Sequence, residues 1–205
     1  MINDKRITLG LIAARKGSRG VKNKNLIKIN NQEITKIALM LAINCSVIDH
    51  VVLSSDSKKI LNLIKNNKKL IKLKRNINLA KDNTPMLPVI QDAIYYFEKI
   101  AKKKVSKLVI FDPTAPLRNM NDIKSAIKKF NKYKPDLLIS VHESGHNPYF
   151  SMMEKKGEYF ELCKNKKNNP GSRQGVPKVY EVNTLVWIYS RKAIFSEKRR
   201  IPKKT

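Results

Sequence analysis

Eleven consecutive residues, Arg15 to Asn25 (RKGSRGVKNKN), combine backbone freedom with concentrated positive charge. Gly17 and Gly20, three apart, let the chain turn sharply and aim backbone N–H groups at an anion. Arg15, Arg19, Lys22 and Lys24 add cations at the same place. That chemistry suits a polyphosphate. No Gly-Lys-Ser/Thr closes the segment and the G-x-G-x-x-G spacing is absent, so it is neither a Walker A loop nor a dinucleotide fingerprint. A basic surface turn is the alternative. Its place directly after a buried, apolar strand favours the phosphate reading.

Two further positions stand out by their surroundings. Asp112 follows the apolar run Lys107–Phe111 and precedes Pro113, so it is either a carboxylate delivered to a strand's end or a turn initiator. Arg75 follows Lys72 and Lys74, where a solvated basic side chain competes with a ligand-reading one.

These residues need a scaffold, and short apolar runs alternating with helical spacing provide it. Strands are expected at Ile7–Ala14, His50–Ser54, Leu70–Leu73, Lys107–Phe111, Leu137–Val141 and Val182–Tyr189. Between them lie helical patterns: Ile34, Ile37, Ala38 and Leu41; Lys58–Lys65; Val89, Ile90, Ala93, Ile94, Phe97 and Ile100; Ile123, Ile127 and Phe130. Strand–helix alternation implies crossovers and a mostly parallel sheet, an α/β fold. Ligands of such sheets sit beyond the carboxyl ends of the strands, which singles out the segments after Ala14, Leu53 and Phe111. Past residue 145 the alternation stops. Tyr149–Met153 and Glu158–Cys163 flank Lys156-Gly157 as a hairpin, so about 145–180 reads as a flap or oligomerisation arm on a single domain spanning 1–205.

Composition narrows the class. At 205 residues and 41% hydrophobic, the chain has enough material for one core. No apolar run approaches the roughly 18 residues of a membrane span, and the N-terminus does not read as a signal peptide. Cys45 and Cys163 lie far apart, so reduced thiols in the cytoplasm are expected. Lys and Arg number 43 against 16 Asp and Glu, a net charge of +27. A nucleic-acid partner would explain such charge, but the lysines spread over nearly every helix without an aromatic-rich binding signature. An A/T-rich coding bias explains it as well.

Ala14–Leu26 (ARKGSRGVKNKNL) resembles the N-terminal signature of the CMP-sialic acid synthetase (acylneuraminate cytidylyltransferase) family. The resemblance continues in order through Ser54-Ser55-Asp56, Arg75 with Leu79–Thr84, Asp112–Arg118, Asn147–Phe150, and Arg173-Gln174 with Pro177, Tyr180 and Asn183. It implies a Rossmann-like nucleotidyltransferase sheet flanked by helices, a small β-containing arm that pairs a homodimer, and CMP transfer from CTP to a nonulosonic sugar acid. Arg15 and Lys24 would then be catalytic, neutralising the departing pyrophosphate. Gly17, Ser18, Gly20, Asn25, Arg75 and Thr84 would complete the nucleotide site. Asp112, Arg173, Gln174, Tyr180 and Asn183 would form the sugar site, with Arg173 holding the sugar carboxylate bidentately. For Tyr180, packing within a strand is the plain alternative. Asp112 stands where neuraminic acid enzymes more often carry Gln, and is similar to the legionaminic acid branch. The resemblance also implies Mg²⁺.

One departure matters. The family's Asp-x-Asp metal pair has no counterpart here, the only acid after Asn183 being Glu197. The metal ligands are therefore unassigned, with Asp112 a candidate, and the expectation is a chain short of the family's C-terminal end that binds CTP but turns over poorly. Three other readings stand beside the synthetase: a catalytically impaired CTP-binding relative, a basic nucleic-acid-binding protein, and a cytidylyltransferase for the shorter sugar acid of lipopolysaccharide cores. The Arg173-Gln174 and Asn147–Phe150 blocks argue against the last.

Overall fold

The computed structural model describes residues 6–17, 20–165, 172–196 and 199–205. In chain order the elements are β1 (Ile7–Ala13), β2 (Lys28–Ile29), β3 (Gln32–Glu33), α1 (Ile34–Asn44), β4 (His50–Ser55), α2 (Lys58–Leu61) and β5 (Leu70–Lys74). There follow α3 (Met86–Ala101), β6 (Val105–Ile110), α4 (Met120–Tyr133), β7 (Leu137–Glu143), β8 (Met153–Lys156), β9 (Tyr159–Leu162), β10 (Tyr180–Ser190) and α5 (Arg191–Ser196). The chain divides into two compact units, Met1–Ile139 with Thr184–Thr205, and Ser140–Asn183.

Among the described residues the main sheet has six strands in the order β5-β4-β1-β6-β10-β7. β4 and β6 flank β1 in parallel, β5 extends β4 in parallel, and β10 runs antiparallel to β6. The mostly parallel α/β sheet expected from the alternation is what forms. β1 is buried along nearly its whole length, as a central parallel strand covered on both faces must be. Its side chains serve two cores in turn. Ile12 packs with the apolar sides of α1, α2 and α4. Leu9 and Leu11 pack with α3 and α5. Gly10 interrupts the run for a packing reason: a Cβ there would stand 3.3 Å from both Ile48 Cγ2 and Phe111 Cε2, so the Phe111 ring occupies that space.

Two local expectations need correction. The helix expected over Lys58–Lys65 stops at Leu61, capped at its start by the Ser57 hydroxyl, which accepts from Ile60 N–H at 3.4 Å. Leu63 and Ile64 instead reach the core from the turn that follows, so burial overrides helical spacing. In the second unit the hairpin strands are β8 and β9, turning at Gly157-Glu158 with Gly157 at φ +64°. Tyr149 and Phe150 belong to a turn instead, because Asn147 organises that stretch. Its side-chain oxygen accepts from Tyr149 N–H at 2.9 Å, and its carbonyl accepts from the N–H groups of Phe150, Ser151 and Met152.

Candidate active site

Arg15 two residues past β1, Arg75 directly past β5 and Asp112 two residues past β6 all leave the carboxyl ends of parallel strands. With Gly17, Lys24, Asn25, Lys81, Asp82, Thr84 and the first turn of α3 they line one cavity of about 190 Å³. The sequence-derived positions Arg15, Gly17, Lys24, Asn25, Arg75, Thr84 and Asp112 are thus brought together. Gly20 is exposed and outside that lining, and Ser18 lies outside the described residues.

The first loop is held by side chains rather than by regular structure. Asn25 Nδ2 donates to the Arg15 carbonyl at 2.9 Å, and the buried Thr35 hydroxyl donates to the Asn25 carbonyl at 2.6 Å. Asn25 sits in a single 3-10 turn, Lys24–Leu26, entered through Asn23 at φ 55°. The Lys16 N–H donates to Asp56 Oδ1 at 2.7 Å, which ties the loop to the end of β4. Arg15 itself donates to Asp82.

Arg75 is buried, so the solvated reading of that residue is set aside. Its Nε donates to the Ser54 hydroxyl at 3.0 Å and Nη2 to the Ser54 carbonyl at 2.8 Å. Burial lowers its pKa, opposed by the nearby Asp56 and Asp92 carboxylates and reinforced by the like charge of Arg15. A guanidinium so held is a cluster of fixed donors lining the cavity. Thr84 donates to the Asn78 carbonyl at 3.2 Å.

Both readings of Asp112 hold at once. It lines the cavity, and Oδ1 accepts from Thr114 N–H at 2.9 Å and from the Thr114 hydroxyl at 2.7 Å, an Asx turn. The neighbouring Arg118 carried no role in the sequence reading, and neither did Asp82. An Asp within a motif names no partner, and a buried Arg runs against its usual exposure.

The second unit contains its own cavity of about 280 Å³, lined by Arg173, Gln174, Ser144, Asn147 and their neighbours. Arg173 opens a 3-10 turn and donates to the Gly145 carbonyl at 3.2 Å. Asn147 Nδ2 donates to the Pro177 carbonyl at 2.9 Å, closing the segment on itself. Tyr180 is 57% exposed, which sets aside a purely packing role. The Asn183 side-chain oxygen accepts from the Ser140 hydroxyl. Tyr180 and Asn183 are not among the residues lining that cavity.

No group of three or more His, Cys, Asp or Glu suited to a metal occurs among the described residues. Cys45 and Cys163 are free thiols. No described helix is long and apolar enough to cross a membrane.

A mostly parallel, helix-flanked sheet with a cation-rich cavity at its carboxyl end is the build of a nucleotidyltransferase. The chain belongs to the cytidylyltransferase family, whose model matches residues 9–200. Post-translational flagellin modification protein B of Campylobacter coli is 36% identical over 180 residues, 88% of this chain and 76% of the relative. The CMP-N,N'-diacetyllegionaminic acid synthase of Campylobacter jejuni is 34% identical over 180 residues, with the same shares covered. Among solved structures, CMP:2-keto-3-deoxy-manno-octonic acid synthetase complexed with CTP superposes with a TM-score of 0.62 at 13% identity, over 92% of this chain and 76% of that one. The Francisella tularensis 2-C-methyl-D-erythritol 4-phosphate cytidylyltransferase gives 0.60 at 12%, over 88% and 71%. At such identities the likeness is one of fold.

Proposed function

We propose that the chain transfers CMP from CTP to a nonulosonic, sialic-acid-like sugar acid of the legionaminic kind, supplying an activated sugar for surface glycans. The observation that carries this reading is the convergence of Arg15, Lys24, Asn25, Arg75 and Thr84 on one cavity at the strand ends. The choice of acceptor rests on the similarity to the named legionaminic acid synthase and on Asp112.

In the reaction the acceptor's anomeric hydroxyl gives up its proton to water as its oxygen bonds to the α-phosphorus, while the bond to the β-phosphate's bridging oxygen breaks and pyrophosphate leaves. Arg15 and Lys24 neutralise the charge that grows on the leaving group. Arg75 and Asn25 hold the nucleoside, and Arg173 takes the sugar carboxylate. The cavity also suits a Mg²⁺ ion, which is commonly held by one or two carboxylates plus substrate phosphates. Asp112 would hold it, since both described hydrogen bonds of its carboxylate use Oδ1. The ion would withdraw charge from the phosphates. The free thiols fit a reducing cytoplasm.

Residues 140–183 expose Phe150, Met152, Met153, Tyr159 and Phe160. A second copy of the chain covering these side chains would make the arm a homodimer contact. Light scattering on a sizing column checks this; a stable monomer at micromolar concentration argues against it.

The function is tested by incubating the chain with CTP, Mg²⁺ and either legionaminic or neuraminic acid, then measuring pyrophosphate and identifying the CMP-sugar by mass spectrometry. Product with legionaminic acid is expected. No pyrophosphate with any nonulosonic acid would sink the reading.

A further inference from the structure

β6 and β10 pair from Ser190–Lys107 to Trp187–Ile110. Beyond that pair the two chains part. Phe111 N–H continues the β1 ladder, donating to the Leu11 carbonyl at 2.8 Å, and Asp112 begins the loop toward α4. Arg118, near the end of that loop, reaches back into the fork. Its Nε donates to the Leu185 carbonyl, and its Nη2 donates to Thr184 O at 2.8 Å and to Asp112 O at 3.3 Å. The guanidinium lies 5.5 Å from the centroid of the Phe111 ring. One side chain thereby binds carbonyls on both diverging chains.

This arrangement is not what stability alone would select. Arg118 is 5% exposed, and its Nη1 is buried with no hydrogen-bond partner among the described residues. Burial lowers its pKa to about 10, with Asp112 acting in the opposite direction, so at neutral pH it is a buried cation. An apolar side chain of similar volume would fill the space without that desolvation cost. What an apolar side chain lacks is the fork of fixed donors that bridges three carbonyls.

We infer that Arg118 is the positioning residue of the acceptor side of the reaction, wedging β6 from β10 and thereby fixing Asp112 and the Thr184–Leu185 stretch of β10. Asp112 lines the substrate cavity. Thr184 directly follows Asn183, a residue assigned to the sugar. The nucleotide side depends on other anchors, Ser54 for Arg75 and Asp56 for the first loop. Disturbing the wedge should separate the two substrates, harming the sugar acid and sparing the binding of metal-free CTP.

This inference rests on the reading of the chain as a CMP-sugar synthetase. The experiment therefore carries wild type, Arg118→Lys, Arg118→Gln, Asp112→Asn and the double variant Arg118→Lys/Asp112→Asn. For each, CTP affinity is measured by calorimetry without Mg²⁺, and KM and kcat are measured with legionaminic acid in its presence. Arg118→Lys keeps the charge but not the planar fork. It should raise KM for the sugar acid about tenfold or more while the CTP Kd stays within about twofold. Because part of Arg118's effect passes through Asp112, the double variant should lose less than the product of the two single losses. Arg118→Gln, which is shorter, neutral and carries two N–H donors against the three of Lys, should lose at least as much as the lysine variant. With an active wild type, an unchanged KM, or equal losses for CTP and sugar acid, would overturn the inference. So would failure of both Arg118 variants to fold, which makes the residue merely structural. An inactive wild type would overturn the synthetase reading itself, and this inference with it.

Discussion

Arg15 donates from Nη1 to Oδ1 of Asp82, so the cation assigned to the leaving phosphates is matched to a carboxylate of the same cavity. The two side chains are 27% and 37% exposed. An ion pair that wet is worth only about 0–1 kcal/mol to the fold. Its larger effect falls on the ligand, because a triphosphate must draw Arg15 away from Asp82 and is itself repelled by that carboxylate.

Asp82→Asn should therefore tighten CTP binding by roughly three- to tenfold with little change in Tm. Arg15→Ala should leave the fold intact and slow pyrophosphate release by roughly ten- to a thousandfold. Calorimetry and a pyrophosphate assay measure the two effects. Weaker CTP binding in Asp82→Asn would mean that the carboxylate supports the site instead of competing for it.

Arg173→Lys tests the sugar-acid reading of the second unit's own cavity. It keeps the charge and loses the planar fork, so KM for the sugar acid should rise with CTP affinity almost unchanged. Equal losses for both substrates would make Arg173 a structural residue, acting through its bond to the Gly145 carbonyl.

For Arg75 the expected outcome is a double loss. Arg75→Met removes the donors that Ser54 receives inside the protein. That should cost about 1–3 kcal/mol in a urea titration and weaken CTP binding as well. Intact stability with weakened CTP binding would mean that the contacts to Ser54 matter less than the free face of the guanidinium.

Glu98 ties three elements of the first unit together. Its carboxylate accepts from Arg191 Nε at 2.8 Å, Lys104 Nζ at 2.9 Å and Val105 N–H at 3.0 Å. Burial pushes its pKa up, but the Arg191, Lys104 and Val105 hydrogen bonds together outweigh burial and hold it at about 2, below the ordinary 4.5. A depressed carboxyl stabilises the fold when ionised. That contribution, about 3 kcal/mol at most, is present above pH 4.5 and lost as the pH falls toward 2. Wild type should lose correspondingly more stability than Glu98→Gln between pH 5 and pH 2.5, measured by urea midpoints. Parallel curves would remove Glu98 from the account.

The strands and the carboxyl-end location of the site were legible because buried apolar runs leave a strong periodic signal. Arg75 was harder. Lys72 and Lys74 made it look solvated, yet Leu73 and Arg75 stand two apart, the spacing that puts both on one face of an extended chain, and both are buried. Arg118 left no periodic trace, since its partners are carbonyls of Thr184 and Leu185, distant in sequence and identical in every residue type. The end of α2 was illegible for a related reason: Leu63 and Ile64 satisfy helical spacing but find the core from a turn. Spacing records which side chains are apolar, not the route by which they become buried.

Gly10 gives the acceptor side an adjustment point deep inside the protein. The Phe111 ring fills the place of a side chain on Gly10, Arg118 lies over that same ring, and Asp112 is the next residue along. A single methyl added at position 10 would stand 3.3 Å from the ring and press it toward the wedge without altering any residue assigned to a ligand. On the proposed reading, preference among related sugar acids is open to mutations confined to the hydrophobic interior, and a comparison restricted to the proposed ligand positions would miss the cause.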